Sequence, residues 1–176
     1  MDMKALRNSL GRVPTCVCVV TTVAVDGTPV CMTANSVLPV MSAQPCIIWS
    51  LGRSSRSRPA FEAAGRFGVS LLAEHQQAIS TQMASPVADR LAGVDWHRGA
   101  AIGMPLIVGS MARFECSNII VREIGDHVAF IGDVVAWDAD ANLRPLLYVD
   151  GRYAAIERMA LDAQASRAAL AEGLAA

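Results

Sequence analysis

Four stretches of this chain combine residue types that can bind or orient a polar ligand. Thr33-Ala34-Asn35-Ser36 sets small side chains, an amide and a hydroxyl at the end of a β-prone run. Small residues let a planar ligand approach the backbone closely. The N–H groups and the Asn and Ser side chains can then meet the polar edge of a heteroaromatic ring. The same four residues would also serve as an ordinary strand end entering a turn. Gly52-Arg53-Ser54-Ser55-Arg56-Ser57 supplies hydroxyls, two guanidinium groups and the N–H groups of an approaching helix start. That is the donor set of a phosphate cradle. A solvated basic loop is the plain alternative. Gly125-Asp126-His127 puts a carboxylate beside an imidazole, and the carboxylate can fix the tautomer of the ring. A turn without chemistry would look the same. Tyr148 with Gly151-Arg152-Tyr153 surrounds a glycine turn with aromatic faces and a cation, which suits a dinucleotide or simply a packed strand end.

Other chemistries lack their residues. The chain carries no G-x-G-x-x-G after a strand, no Walker loop, no H-E-x-x-H and no G-x-S-x-G. Its histidines, His75, His97 and His127, lie in different segments without metal spacing, so neither a hydrolase nor a metalloenzyme is supported. The cysteines are Cys16, Cys18, Cys31, Cys46 and Cys116, an odd set without a C-x-x-C pair. They read as free, mostly buried thiols of a reducing cytoplasm. The net charge of −1, from 15 basic and 16 acidic residues, argues against a nucleic-acid binder. No apolar run approaches the roughly 18 residues that cross a bilayer. The opening residues lack the apolar segment of a secretion signal, so no membrane association is expected. Apolar residues make up 53% of the chain. A monomer would struggle to hide them, and a homodimer is expected.

The elements that must hold these stretches are mainly strands. Leu6 and Leu10 share one face of a short helix over residues 3–10, ended by Gly11 and Pro14. Strands follow over residues 16–25 and 30–37, joined by an Asp26-Gly27 hairpin turn, and over 46–51. A short helix spans residues 59–64, with Pro59 in its first turn and Gly65 as its cap. Residues 67–72 form a strand and residues 75–84 a helix. Residues 85–103 are irregular. Strands over 104–108, 111–121, 127–138 and 145–149 complete the domain, with Gly132 as a bulge or bend in the long one. From Ile156 the composition turns to Ala, Leu, Glu and Arg, which favours a terminal helix. The division expected is a single domain over residues 1–156 and a helical tail over 157–176. Short strands separated by turn signals point to a β-dominated α+β barrel or sandwich, not to a doubly wound sheet.

The order of the stretches resembles one family. Gly11-Arg12-Val13-Pro14-Thr15, Val19-Val20-Thr21-Thr22, Met32-Thr33-Ala34-Asn35-Ser36, Arg53-Ser54-Ser55-Arg56-Ser57, Gly65-Arg66-Phe67-Gly68-Val69-Ser70-Leu71-Leu72, Gly125-Asp126-His127, Phe130-Ile131-Gly132-Asp133-Val134, Pro145-Leu146-Leu147-Tyr148 and Gly151-Arg152-Tyr153 occur in sequence. Together they are similar to the short-chain flavin reductases, which include reductase components of two-component monooxygenases. Each motif is weak alone, and the ordered set is specific. Cys16 and Cys31 stand where relatives commonly carry glycine. Leu38-Pro39 replaces a more usual Phe-Thr or Phe-Ser.

The resemblance implies a six-stranded antiparallel split β-barrel of Greek-key type with short flanking helices. It implies reduction of FMN or FAD by NADH or NADPH, and delivery of reduced flavin to a separate monooxygenase. Met32 and Thr33 to Ser36 would line the flavin ring. Ser50, Leu51 and the Arg53, Ser54, Ser55, Arg56 and Ser57 loop would hold the ribityl chain and phosphate. Asp126, His127, Tyr148, Arg152 and Tyr153 would meet NAD(P)H. No general acid or base is implied, because hydride passes between stacked rings. A flavin-binding split barrel with weak, absent or different activity is the alternative. A haem-binding module and a small-ligand carrier are more distant ones.

Overall fold

The computed structural model describes residues 1–156. The expected tail helix over residues 157–176 lies outside them. Along the chain come α1 (Met3–Leu10), β1 (Thr15–Cys16), β2 (Cys18–Val23), β3 (Pro29–Ala34), β4 (Leu38–Val40) and β5 (Cys46–Gly52). Next are α2 (Arg58–Ala64), β6 (Phe67–Leu71), α3 (Gln77–Ala84), β7 (Trp96–Arg98) and β8 (Pro105–Ile107). The described chain closes with β9 (Ala112–Ile124), β10 (His127–Ala139), β11 (Leu147–Val149) and β12 (Arg152–Ala154).

The main sheet is antiparallel and runs β3-β2-β6-β9-β10-β5-β4. It has seven strands where six were expected. The addition is β4, an edge strand three residues long whose Pro39 offers no N–H to a ladder. Leu38 remains exposed there, so neither alternation nor composition marks a strand. A three-stranded sheet, β1-β11-β12, lies beside the main one, and β7 pairs with β8. Val17 N–H donates to the Leu146 carbonyl at 2.9 Å, and Leu146 N–H to that of Leu72 at 2.8 Å, which ties the small sheet to the large one.

Alternation along β5 sends Ile47, Trp49 and Leu51 inward and leaves Cys46, Ile48, Ser50 and Gly52 half-buried. Trp49 stacks on Phe130 with centroids 4.8 Å apart and meets Phe61 and Phe67 edge-on. This aromatic cluster and the aliphatic residues around it form the barrel core. A second cluster, with Val17, Val19, Cys31, Leu72, Met83 and Ile107, lies between β2, β3 and α3. The expected bend at Gly132 coincides with a register shift between Ile131 and Asp133. A side chain there would collide with Ile119 and Phe67.

One buried charge holds an irregular segment. Glu115 is 1% exposed. Its carboxylate accepts N–H bonds from Ala101 at 2.9 Å, Ile102 at 3.0 Å and Met104 at 3.1 Å. Gly99 packs directly on that carboxylate and has no room for a Cβ. All five cysteines are free. Burial pushes the Cys31 thiol up to about 11 and Cys116 up to about 12, and raises Cys16 and Cys18 as well.

Candidate functional site

Curling of the main sheet brings its β3 end against β5. Ser36, just past β3, donates its hydroxyl to the Ser50 carbonyl at 3.1 Å. Ser50 N–H reaches Ser36 Oγ at 3.3 Å, and the two hydroxyls lie 3.2 Å apart. The end of β3 and the end of β5 thus meet at one rim. Asn35 and Ser36 are exposed there, Thr33 and Ser50 are half-buried, and Ala34 is buried. Leu51 is 2% exposed with its side chain in the core, so only its backbone is open to a ligand. Met32 likewise packs on the core. Thr33 donates its hydroxyl to the Ser80 carbonyl at 2.6 Å.

The basic loop leaves β5 at this rim. Gly52 pairs with His127 across β5 and β10, and Arg53 N–H donates to the Asp126 carbonyl at 2.9 Å. The loop and the Gly125-Asp126-His127 turn therefore sit side by side. Gly125 adopts φ +57, a left-handed conformation that glycine tolerates and that turns β9 into β10. Asp126 Oδ1 lies 2.7 Å from His127 Nδ1. A carboxylate only accepts, so His127 donates from Nδ1, on a side chain that is about half exposed. That hydrogen bond, with the charge of His127 second, holds the Asp126 carboxyl below its ordinary range. The contact is fully present above the ordinary carboxylate pKa and is lost as pH falls through the lowered one.

The arginines divide. Arg53 approaches Glu123 at 3.4 Å and the Gly125 carbonyl at 3.4 Å. Arg58 pairs with Glu62 at 2.7 Å and Glu123 at 3.6 Å. Arg56 has no ion pair or hydrogen bond among the described residues, and with Ser57 it lines a cleft of about 730 Å³. Ser54 is exposed, and Ser55 Oγ accepts the Ser57 N–H at 3.3 Å.

Tyr148 and Tyr153 face each other across the β11–β12 hairpin with centroids 5.5 Å apart. Tyr153 OH lies 2.9 Å from Ser80 Oγ, beside the Thr33 contact. Tyr148 and Asn35 line a second cleft of about 510 Å³ with Arg7, Thr15 and Asp150. Arg152 is exposed on β12. The structure thus sorts the expected dinucleotide residues into two groups. Asp126 and His127 belong to the main sheet and adjoin Arg53. Tyr148, Arg152 and Tyr153 belong to the small sheet, where Tyr148 shares a cleft with Asn35 and Tyr153 meets Ser80 behind Thr33. Residues that sequence reading did not single out join the site: Ser80 behind Thr33, Glu123 under the arginines, and Arg7 in the second cleft. Ser80 and Glu123 carry no local signal, because only tertiary contact brings them in.

Among the described residues, no helix is long and apolar enough to cross a membrane, and no group of His, Cys, Asp and Glu has the makings of a metal site. The model for the flavin reductase like domain matches residues 10–157. The chain is 40% identical over 152 residues to a probable flavin reductase of Rhizobium meliloti (strain 1021), covering 86% of this chain and 48% of that protein. It therefore spans about half the length of that relative. It is 34% identical over 157 residues to the reductase subunit of a flavin-dependent monooxygenase of Rhodococcus jostii, covering 89% of this chain and 80% of the relative. Among solved structures, the NADH:FAD oxidoreductase of Streptomyces globisporus, in complex with NAD and FAD fragments, superposes with a TM-score of 0.82 at 33% identity, covering 92% of this chain and 95% of that one.

Proposed function

The chain belongs to the flavin reductase-like family, and from that premise we propose that it is an NAD(P)H-dependent flavin reductase that supplies reduced flavin to a monooxygenase. The observation that carries the reading is the shared rim. The Ser36–Ser50 junction, the Arg53 to Ser57 loop and the Asp126–His127 pair adjoin there, although residues 36 and 127 are far apart in sequence. The donor set fits FMN or FAD. The exposed amide and hydroxyl of Asn35 and Ser36, with the half-buried hydroxyl of Ser50, suit a polar ring edge. Arg56, without an acidic partner among the described residues, suits a phosphate.

A bound flavin would supply the two-electron acceptor. The chain's own part is positioning. Asn35, Ser36 and Ser50 present fixed dipoles at the ring edge without titrating. Arg56 and Ser57 hold the phosphate end. Asp126 orients His127, and the half-exposed imidazole is available to the incoming reduced nicotinamide dinucleotide. Tyr148, Arg152 and Tyr153 support that dinucleotide from the other sheet. None of these groups must donate or remove a proton for two electrons to pass, so the pH dependence of turnover follows binding.

A homodimer is part of the proposal. Ile120, Ile124, Val135 and Trp137 stand 45–70% exposed along the β9–β10 hairpin, apolar area that a second copy would cover. Free thiols suit a reducing cytoplasm. The test is to follow the reduced-nicotinamide absorbance with NADH or NADPH while free FMN or FAD is added. Flavin-dependent oxidation is expected. Flavin binding without oxidation would favour a non-catalytic flavin carrier.

A further inference from the structure

Ser80 is fully buried in α3, where it and Met83 make up the buried face of the helix. Met83 supplies the apolar part of the seating. It packs in the second cluster, with its Sδ 3.2 Å from the Cys31 thiol. Ser80 differs, because its main chain and its side chain hold two separate elements. Its carbonyl accepts the Thr33 hydroxyl of β3 at 2.6 Å. Its own hydroxyl lies 2.9 Å from the Tyr153 hydroxyl of β12. Serine is a poorer helix former than alanine, and a buried hydroxyl costs stability unless it is bonded. The helix does not need this oxygen. What the oxygen adds is the bond to Tyr153.

Strand β12 has little else to hold it. It is an edge of the small sheet, three residues long, and pairs with β11 alone. Among the described residues, Ser80–Tyr153 is the one side-chain hydrogen bond that ties β12 to another element. Tyr153 in turn sets Tyr148, its partner across the hairpin, with the two rings edge to face at 74°. Tyr148 and Asn35 line the same cleft of about 510 Å³. Asn35 continues the strand end that carries Thr33, and Tyr148 is braced from Ser80. We propose that Ser80 is a positioning residue for the dinucleotide, which holds Tyr153, and through it the Tyr148 ring, in a fixed place relative to the end of β3. The inference deepens the flavin reductase reading and rests on it. The Thr33 arm ends on the main-chain carbonyl of residue 80, which every residue keeps. The Tyr153 arm ends on the hydroxyl, which alanine lacks. Removing that hydroxyl therefore loosens the dinucleotide side and leaves the flavin side in place.

The experiment compares Ser80→Ala, Tyr153→Phe and the double variant with the parent. Steady-state kcat and the KM for NADH and for FMN are measured. In parallel, NAD⁺ binding is measured by calorimetry, which needs no turnover, and stability by thermal denaturation. Ser80→Ala is expected to raise the KM for NADH and the dissociation constant for NAD⁺ by about three- to ten-fold, the worth of one neutral hydrogen bond. The kcat and the KM for FMN should stay within about two-fold of the parent. Tyr153→Phe should act alike, and the double variant should be no worse than either. Each single variant leaves one hydroxyl unpaired and lowers the melting temperature, whereas the double variant recovers stability without recovering NADH affinity. Thr81→Ala removes an exposed hydroxyl of the same helix, bonded to the Gln77 carbonyl, and should match the parent. Unchanged NADH and NAD⁺ values in Ser80→Ala overturn the proposal. So do equal rises for NADH and FMN, additive effects in the double variant, or an equal effect of Thr81→Ala. Should Ser80→Ala fail to fold, Tyr153→Phe, on a half-buried side chain, supplies the same comparison. NAD⁺ binding by a parent that oxidises no NADH would remove the flavin reductase reading. Weaker NAD⁺ binding by Ser80→Ala would then still uphold the positioning role, and equal binding would overturn it.

Discussion

Glu115 and Asp126 are carboxylates of the same β9–β10 hairpin, one within a strand and one at the turn, and they do opposite work. Glu115 is buried, and its two oxygens take three backbone N–H bonds from residues 101–104. Every lone pair it spends goes to holding chain. Asp126 is exposed and gives its short contact to a side chain, His127, that is itself about half exposed. A saturated carboxylate in the interior fixes architecture. An exposed one that orients an imidazole leaves binding capacity to spare. The difference separates what the protein needs to fold from what it needs to act.

The largest effect should come from Glu115. Glu115→Ala orphans three buried donors at about 1–3 kcal/mol each, so a loss of roughly 3–5 kcal/mol is expected by denaturant titration. A loss below about 1 kcal/mol would mean that the 101–104 segment holds itself and that the two carboxylates are not so different. On the side of the active rim, Arg56→Ala should weaken flavin binding by about 1.5–3 kcal/mol, the range for a hydrogen bond to a charged group, while leaving the melting temperature in place. Isothermal titration with FMN reads the first and thermal denaturation the second. Unchanged affinity would take the loop out of the site.

A smaller effect sharpens the interior side. The Cys31 and Cys116 thiols are raised to about 11 and about 12 in the fold, against about 8.5 in an unfolded chain. Their neutral form is the one the core favours. The resulting stability is complete below the unfolded value and disappears as pH rises through the folded ones. Melting temperature should therefore fall between about pH 9 and pH 12, and Cys116→Ala should flatten part of that slope. A slope identical in the variant would show that other groups produce it.

The contrast also explains what the sequence made legible. Asp126 and His127 announce themselves, because Gly-Asp-His before a continuous apolar run is local information. So do β5, the Gly65 cap and the Gly132 bend, each written in neighbouring residues. Glu115 does not. It sits between Phe114 and Cys116 in a run whose register against β10 shifts between Val134 and Ala136, so two consecutive residues, Glu115 and Cys116, are buried. Simple alternation would leave one of them outside. Ser80 was missed for a related reason. Its partner is the Tyr153 hydroxyl, 73 residues away in the chain. The separation of Tyr148 and Tyr153 from His127 follows from pairing of β11 with β1 across 133 residues, which no local pattern encodes.

The most direct test concerns His127. Steady-state oxidation of NADH by the parent and His127→Ala is measured with flavin and dinucleotide varied in turn. A rise of roughly ten-fold in the KM for NADH is expected, with a flavin KM within about two-fold of the parent and an unchanged melting temperature. Equal changes in both KM values, or a fall in melting temperature like that of Glu115→Ala, would place His127 among the groups that build the fold and contradict the account.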